Sequence, residues 1–222
     1  MRSLPLPLAL TARLTPVAVL ACAGWAMSSG PLTETQDTAA KDTQKTQSEK
    51  SSGPSSTAVS KTYSAAPAPC TGVTTKTVTA LVPGAKTAGK EIPSTDTALR
   101  RTCSWNALKG FDYRWLDVSF EITDSDEAAR SSYKERIGEK SGGGAVPGLG
   151  DAAYSVVNLT TQDKQQTREG IVIAQVSNAL VIVNYNGSDF ETRKAPSTDE
   201  INKGAIKAAK EVVAALQNGK KS

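Results

Sequence analysis

The residue types able to do chemistry in this chain are few, and a missing one decides most of what they can do. The 222 residues include no histidine, which excludes Ser-His-Asp and Cys-His catalysis and His-dependent zinc, copper and haem sites within one chain. It also removes the commonest general base near neutral pH. Ser-Lys and two-carboxylate chemistry stay open in principle. No Ser-x-x-Lys sequence comes with the further motifs of the Ser-Lys enzymes, however, and no carboxylate pair stands out. Gly142-Gly143-Gly144 followed by Gly148-Leu149-Gly150 is neither a GxGxxG after a strand nor a Walker A loop, and reads as a mobile turn. No catalytic residue, metal or cofactor is expected. What remains is thiol chemistry at Cys22, Cys70 and Cys103.

The setting of Cys22 is an N-terminal leader. Arg2 and Arg13 supply a positive n-region, and Leu14 to Ala21 is an apolar run without charge. That run is too short to span a bilayer, which takes roughly 20 residues. Val19-Leu20-Ala21-Cys22 resembles a bacterial lipobox, with a small residue ahead of a cysteine that becomes lipid-linked and then N-terminal. Leu20 stands where the pattern prefers a small residue, and Arg13 compresses the apolar run. Ordinary secretion with cleavage after Ala21 or Ala23, or an uncleaved anchor continuing through Trp25 and Met27, is the competing reading. With a signal peptide over residues 1–21 and lipidation at Cys22, the location is the extracytoplasmic face of a cell membrane. The sequons at Asn158-Leu159-Thr160 and Asn186-Gly187-Ser188 carry little weight behind a bacterial leader.

From Cys22 to residue 66 the chain has no apolar periodicity and is rich in Ser, Thr, Lys and Gln, as in Lys41-Asp42-Thr43-Gln44-Lys45. Such a segment buries too little apolar surface to offset its ordering entropy, so it reads as a disordered tether. Its reach as a random coil is roughly 35–40 Å. Residues 67–222 then form one domain of ordinary size. With Cys22 assigned to lipid, Cys70 and Cys103 are left as an even pair in an oxidising compartment. A bridge between them closes a loop worth about 3–4 kcal/mol. Two free thiols, or one catalytic cysteine without a visible partner, are the rival readings.

Within the domain, Val73–Leu81 reads as a short helix stopped by Pro83-Gly84. Strands are predicted around 85–92, 99–106 and 113–122, the last with Val118, Phe120 and Ile122 alternating with polar residues. Asp124 as N-cap with Glu127 three residues on predicts a helix through Ala129, Tyr133 and Ile137. Strands near 152–159, 169–176 and 179–185 follow, the last two joined by a tight turn at Ser177-Asn178. The final helix opens on the capping box Ser197-Thr198-Asp199-Glu200, and Ile201, Ala205, Ala208, Val212 and Leu216 form its apolar stripe. The fold class is therefore α+β: a mainly antiparallel sheet of about six strands with three helices, in the order α-βββ-α-βββ-α.

Pro69-Cys70, Arg101-Thr102-Cys103-Ser104-Trp105 and Val146-Pro147-Gly148-Leu149-Gly150-Asp151-Ala152-Ala153-Tyr154 together resemble a family of actinobacterial cell-envelope lipoproteins of unknown function. In that family a lipobox and a Ser/Thr-rich tether precede one domain with a Cys to Cys-x-Trp pair and a Gly-Leu-Gly-Asp-x-Ala turn. The resemblance covers roughly Pro67 to Leu216. It implies surface anchoring and the Cys70–Cys103 pair, and it supplies no catalytic residues. The layout is also similar to the extracellular sensor domains of mycobacterial membrane kinases.

Charge is uninformative about partners: removing Arg2 and Arg13 with the leader takes the formal net charge from +4 to +2. No nucleic-acid footprint is present, and Lys203, Lys207 and Lys210 read as a solvated helix face. Trp105, Phe111, Tyr113, Trp115 and Tyr154 read as core or rim of the sheet, or as the lining of an apolar cleft between sheet and helices. The expected function is that of a membrane-anchored, non-enzymatic domain binding an envelope protein or a small apolar ligand. The alternatives are a structural or assembly factor without a small-molecule site and, further off, a His-free hydrolase.

Overall fold

The computed structural model describes residues 61–219. The expected signal peptide over 1–21, Cys22 and the expected tether up to residue 60 lie outside the described residues. The described chain holds a 3-10 turn at Pro69–Thr71, then α1 (Thr75–Leu81), β1 (Lys90–Ile92), β2 (Arg100–Lys109), β3 (Asp112–Ile122) and α2 (Asp126–Gly138). It continues through β4 (Gly144–Ala145), β5 (Ala152–Gln162), β6 (Gln165–Val176), β7 (Ala179–Asp189) and α3 (Thr198–Gly219). This is α+β, as expected, with seven strands rather than six.

All neighbouring strands are antiparallel, in the order β1-β2-β3-β7-β6-β5-β4. The β5-β6-β7 meander thus returns to pair with β3, which puts β3, β7 and β6 at the centre. Their central position explains their composition. Val118, Phe120, Val172, Ala174, Val181 and Val183 are 0–1% exposed, on one face of the sheet. That face is covered by α3, whose predicted stripe Ile201, Ala205, Ala208, Val212 and Leu216 is buried throughout. Two glycines permit the close approach. A Cβ on Gly170 of β6 would stand 2.8 Å from Ile201 Cγ2, and one on Gly204 of α3 would stand 2.6 Å from Tyr185 Cε1. Either distance is an overlap that a packed core resists.

The helix caps follow local chemistry. Ser197 Oγ accepts from the Glu200 N–H at 3.1 Å, as the capping box requires. Asp124 is not the cap of α2. Ser125 is, accepting from the Ala128 N–H at 3.0 Å, while Asp124 pairs with Lys61 at 2.6 Å. Both residue types cap equally well, so the choice passed to a charge partner 63 positions upstream. The cap of α1 is partly tertiary. Glu211, on α3, accepts from the Thr74 N–H at 2.9 Å and from the Thr77 hydroxyl at 2.5 Å.

Three further expectations change. The ordered domain starts before Pro67: Tyr63 is 8% and Ala66 6% exposed. The Asn178 side chain accepts from the Tyr63 N–H at 2.8 Å and donates to the Tyr63 carbonyl at 2.9 Å. Ala66 N–H donates to the Ala98 carbonyl at 2.7 Å. A tyrosine and an alanine were too sparse a signal in a polar stretch to read as packing. The glycine-rich loop is also more than a turn, because Gly144–Ala145 pairs with Tyr154 and Ser155 as the seventh strand. Gly143 N–H donates to the Tyr154 hydroxyl at 3.1 Å. The strand expected over 85–92 shrinks to its last three residues, Lys90–Ile92.

Candidate functional site

Cys70 and Cys103 are bonded to each other, with Cα atoms 5.1 Å apart. Cys103 is fully buried on the α3 side of the sheet, so the bridge joins the 3-10 turn to β2 within the core and offers no thiol to a substrate. Trp105 lies on the same side, 2% exposed, with its indole N–H on the Thr87 carbonyl at 3.0 Å. The interior between α3 and the sheet is filled by these side chains. The pocket beside α2 is lined by Asp126, Arg130, Lys134 and Asp151 among others, so it is polar, not an apolar cleft.

The opposite face of the sheet is only partly covered. There α2 sets Tyr133 and Ile137 over Leu180, Ile173, Ile171 and Ile182, a small apolar cluster at one end of β6 and β7. Among the described residues no helix covers the rest of that face, and its strands alternate accordingly: Tyr113, Trp115 and Asp117 face out between buried Leu116 and Val118. Cross-strand pairing arranges these outward residues in rows. One row reads Asn106, Trp115, Asn186, Glu169, Asn158 across five strands, and none of the five is buried. The next reads Lys90, Ser104, Asp117, Asn184 before turning apolar at Ile171. A third pairs Thr102 with Ser119, their hydroxyls 2.7 Å apart.

Two features organise this surface. The Trp115 indole N–H is shared between Asp117 Oδ1 at 2.7 Å and Ser104 Oγ at 2.8 Å, so the ring leans along its strand in a fixed pose. A groove of about 440 Å³ runs between the loop Pro93–Thr95 and a floor of Thr102, Asp117, Ser119 and Asn184, with Arg100 at its side. Glu121 closes that end. Its Oε2 accepts from Arg136 at 2.6 Å, and its buried Oε1 lies 3.5 Å from Arg100 Nε without a hydrogen bond. At the other end of the face Leu108, Phe111 and Phe190 are 58, 56 and 48% exposed, and the Phe190 ring tilts against Tyr113.

The electrostatics do not converge on one catalytic centre. The Arg101 hydrogen bonds hold Glu91 below the usual carboxylate range, and Lys61 does the same to Asp124. Backbone and hydroxyl donors of Thr192 lower Asp189. Burial pushes Glu211 up, but hydrogen bonds from Thr77 and Thr74 outweigh it and leave it lowered. Burial raises the phenols of Tyr63, Tyr113, Tyr133 and Tyr185. These four carboxylates belong to separate caps, turns and ion pairs. Among the described residues no group of His, Cys, Asp and Glu side chains is arranged to hold a metal ion, and no helix is long and apolar enough to cross a membrane.

Of the row residues only Trp115 is among the aromatics that the sequence offers as core, rim or cleft lining, and it lies on the open face rather than in an apolar cleft; Asn106, Asn186, Glu169 and Asn158 are not offered as ligand contacts. Their signal was the period-2 alternation of polar positions in β2, β3 and β7, but only the strand order aligns them.

No protein-family model and no curated protein matches the chain. Two solved structures are similar to it. One is a protein of Bacteroides thetaiotaomicron VPI-5482, 13% identical, covering 57% of this chain and 47% of its own, with a TM-score of 0.34. The other is the extracellular domain of PknH from Mycobacterium tuberculosis, 11% identical, covering 54% and 64%, with a TM-score of 0.33. The match therefore spans less than two thirds of either chain, and at these scores neither likeness bears on function.

Proposed function

We propose that this protein is a membrane-anchored extracytoplasmic binding domain without catalytic activity, and that the open half of the sheet, over β2, β3 and β7, is its ligand site. One observation carries the reading. A sheet whose other face is sealed leaves its central strands uncovered here, with amide, hydroxyl, carboxylate and indole groups in register and a groove beside them. Polar groups fixed on rigid strands bind with little loss of entropy. The absence of histidine and the scatter of perturbed carboxylates support binding over turnover. The address rests on the leader and on Cys22, whose lipidation a fatty-acid label in cells tests: it enters wild type and is lost in Cys22→Ala. Absence of label from membrane-bound wild type refutes the anchor.

The binding reading is tested by capture from envelope extracts on the tagged protein, with mass spectrometry of proteins and small molecules. A partner retained by wild type and lost in Trp115→Ala supports the site. Retention of every partner by that variant refutes it, and substrate turnover abolished by one Asp, Glu, Ser or Lys substitution refutes the non-enzymatic reading.

A second reading, a structural or assembly factor of the envelope, is favoured by the apolar tip. Leu108, Phe111 and Phe190 are each about half exposed at the far end of the same face, as in a surface that meets another protein.

A further inference from the structure

We infer that the row Asn106, Trp115, Asn186, Glu169, Asn158 seats an uncharged, hydroxyl-rich glycan chain lying across the strands; the inference rests on the ligand-site assignment above and names the class of ligand. The pairing puts these five residues on one straight line over β2, β3, β7, β6 and β5. Strands about 4.8 Å apart make that line about 19 Å long. It presents a hydrogen-bonding side chain at four of its five strands and an aromatic ring at the fifth, which suits an extended chain with polar groups along its length. A compact ligand touching one point gains nothing from such a row.

Charge complementarity selects among extended ligands. On this row and the next, the charged groups are Glu169, Asp117 and, at the sheet edge, Lys90. A nucleic acid, a polyphosphate or an anionic membrane needs clustered cations and meets carboxylates instead. A protein partner wants an apolar, desolvated centre with amides and carboxylates at the rim, and here they are the centre. Buried amides and carboxylates each need a hydrogen-bonding partner. A sugar hydroxyl both donates and accepts, so it satisfies Asn, Asp and Glu alike without adding charge.

Trp115 supplies the apolar part. Aromatic rings bind flat, C–H-rich surfaces, and a sugar ring offers one. The bonds from its indole N–H to Asp117 and Ser104 fix the ring before any ligand arrives, so little entropy is lost on stacking. The Asn106, Asn184 and Asn186 amides enter no such bond among the described residues and are exposed or half-exposed. They are donors and acceptors held in reserve on a rigid surface.

The test uses the full chain labelled with 15N at its tryptophans, of which there are three. The probes are oligosaccharides of cellulose, chitin and mannan, with inorganic polyphosphate and phosphatidylglycerol vesicles as contrasts. The expected result is that an oligosaccharide moves the Trp115 indole N–H signal and leaves that of Trp105 in place, while polyphosphate and vesicles move neither. Measured by titration calorimetry, which needs no indole reporter, Asn186→Ala weakens that binding roughly fivefold and Trp115→Ala about tenfold or more, as loss of one hydrogen bond and of one stacking face imply. Asn218→Ala, on the exposed end of α3, leaves it unchanged. An unmoved Trp105 signal shows that the variants are folded. Glycan binding that survives both substitutions overturns the inference, as does failure of every oligosaccharide to bind. If polyphosphate or vesicles move the Trp115 signal instead, the glycan class is wrong while the ligand site stands. If envelope capture also survives Trp115→Ala, the site assignment itself is wrong.

Discussion

The two faces of one sheet use the same strands to opposite ends, and the two tryptophans measure the difference. Trp105 and Trp115 sit on neighbouring strands, β2 and β3, one register position apart: Trp105 pairs with Leu116 and Trp115 with Asn106. Trp105 points to the α3 side, is 2% exposed and packs beside the Cys70–Cys103 bridge. Trp115 points the other way, is half-buried and answers to Ser104 and Asp117. The first face is organised by apolar volume, the second by hydrogen bonds with no element above them among the described residues. Burial alone therefore does not single out the residues of the proposed ligand site. The residues expected to cost most to lose lie under α3, on the face opposite the proposed site.

Breaking that contrast starts with the tryptophans. Trp105→Ala leaves a large cavity under α3 and lowers stability by about 3–5 kcal/mol, whereas Trp115→Ala costs about 1–2 kcal/mol for its partial packing and hydrogen bonds. Denaturant unfolding measures both, and equal losses would refute the division between faces. Cys103→Ser removes the bridge on the covered side and costs about 3–4 kcal/mol. Alkylation of exported wild type without reduction modifies neither Cys70 nor Cys103, and labelling of both would refute the bond.

Asn178→Ala tests the strap that enters the domain. It strands the Tyr63 N–H and carbonyl and the Thr123 carbonyl, all bonded to that amide, and costs about 2–3 kcal/mol. A chain begun at Pro67 melts lower than one begun at Lys61 for the same reason. Equal melting temperatures would return residues 61–66 to the tether.

Glu211→Gln separates the α1–α3 contact from the rest of the covered face. Glu211 has a lower pKa folded than unfolded, so its stabilisation is complete above the ordinary glutamate range and is lost as pH falls through the folded value. The variant is less stable than wild type by about 1–2 kcal/mol near neutrality, and the gap narrows as pH falls below the ordinary glutamate range and through the lowered folded value. A gap independent of pH would show that the carboxylate charge is irrelevant. The smallest effect is expected on the open face. Asn184→Ala with Asn186→Ala changes stability by about 0.5 kcal/mol or less, and a much larger loss would mean that these amides hold the fold rather than await a ligand.

Much of the architecture was legible in the sequence because it follows from local periodicity and capping. The stripe on α3, its capping box, the alternation in β3 and the even cysteine pair are short-range patterns, and each is found where it was expected. Three of the departures come from partners outside the local window. Asp124 gave up the cap of α2 to Ser125 because Lys61 lies beside it. Gly144–Ala145 became a strand because β5 offers it an edge. Tyr63 entered the core because Asn178, 115 positions later, captures its backbone.

By itself the sequence determined which positions are apolar, where helices begin, that the chain lacks a histidine base, and that the strands alternate between two kinds of face. Those are properties of neighbours along the chain, set by periods of 2 and 3.6 residues and by side-chain chemistry. Only the tertiary structure decided that β7 returns to pair with β3, and with that pairing that Asn186 and Glu169 join Trp115 and Asn106 in one row. Strand order is set by the packing of whole elements over long loops rather than by any local signal, so a surface assembled from five strands has no motif to be read in advance.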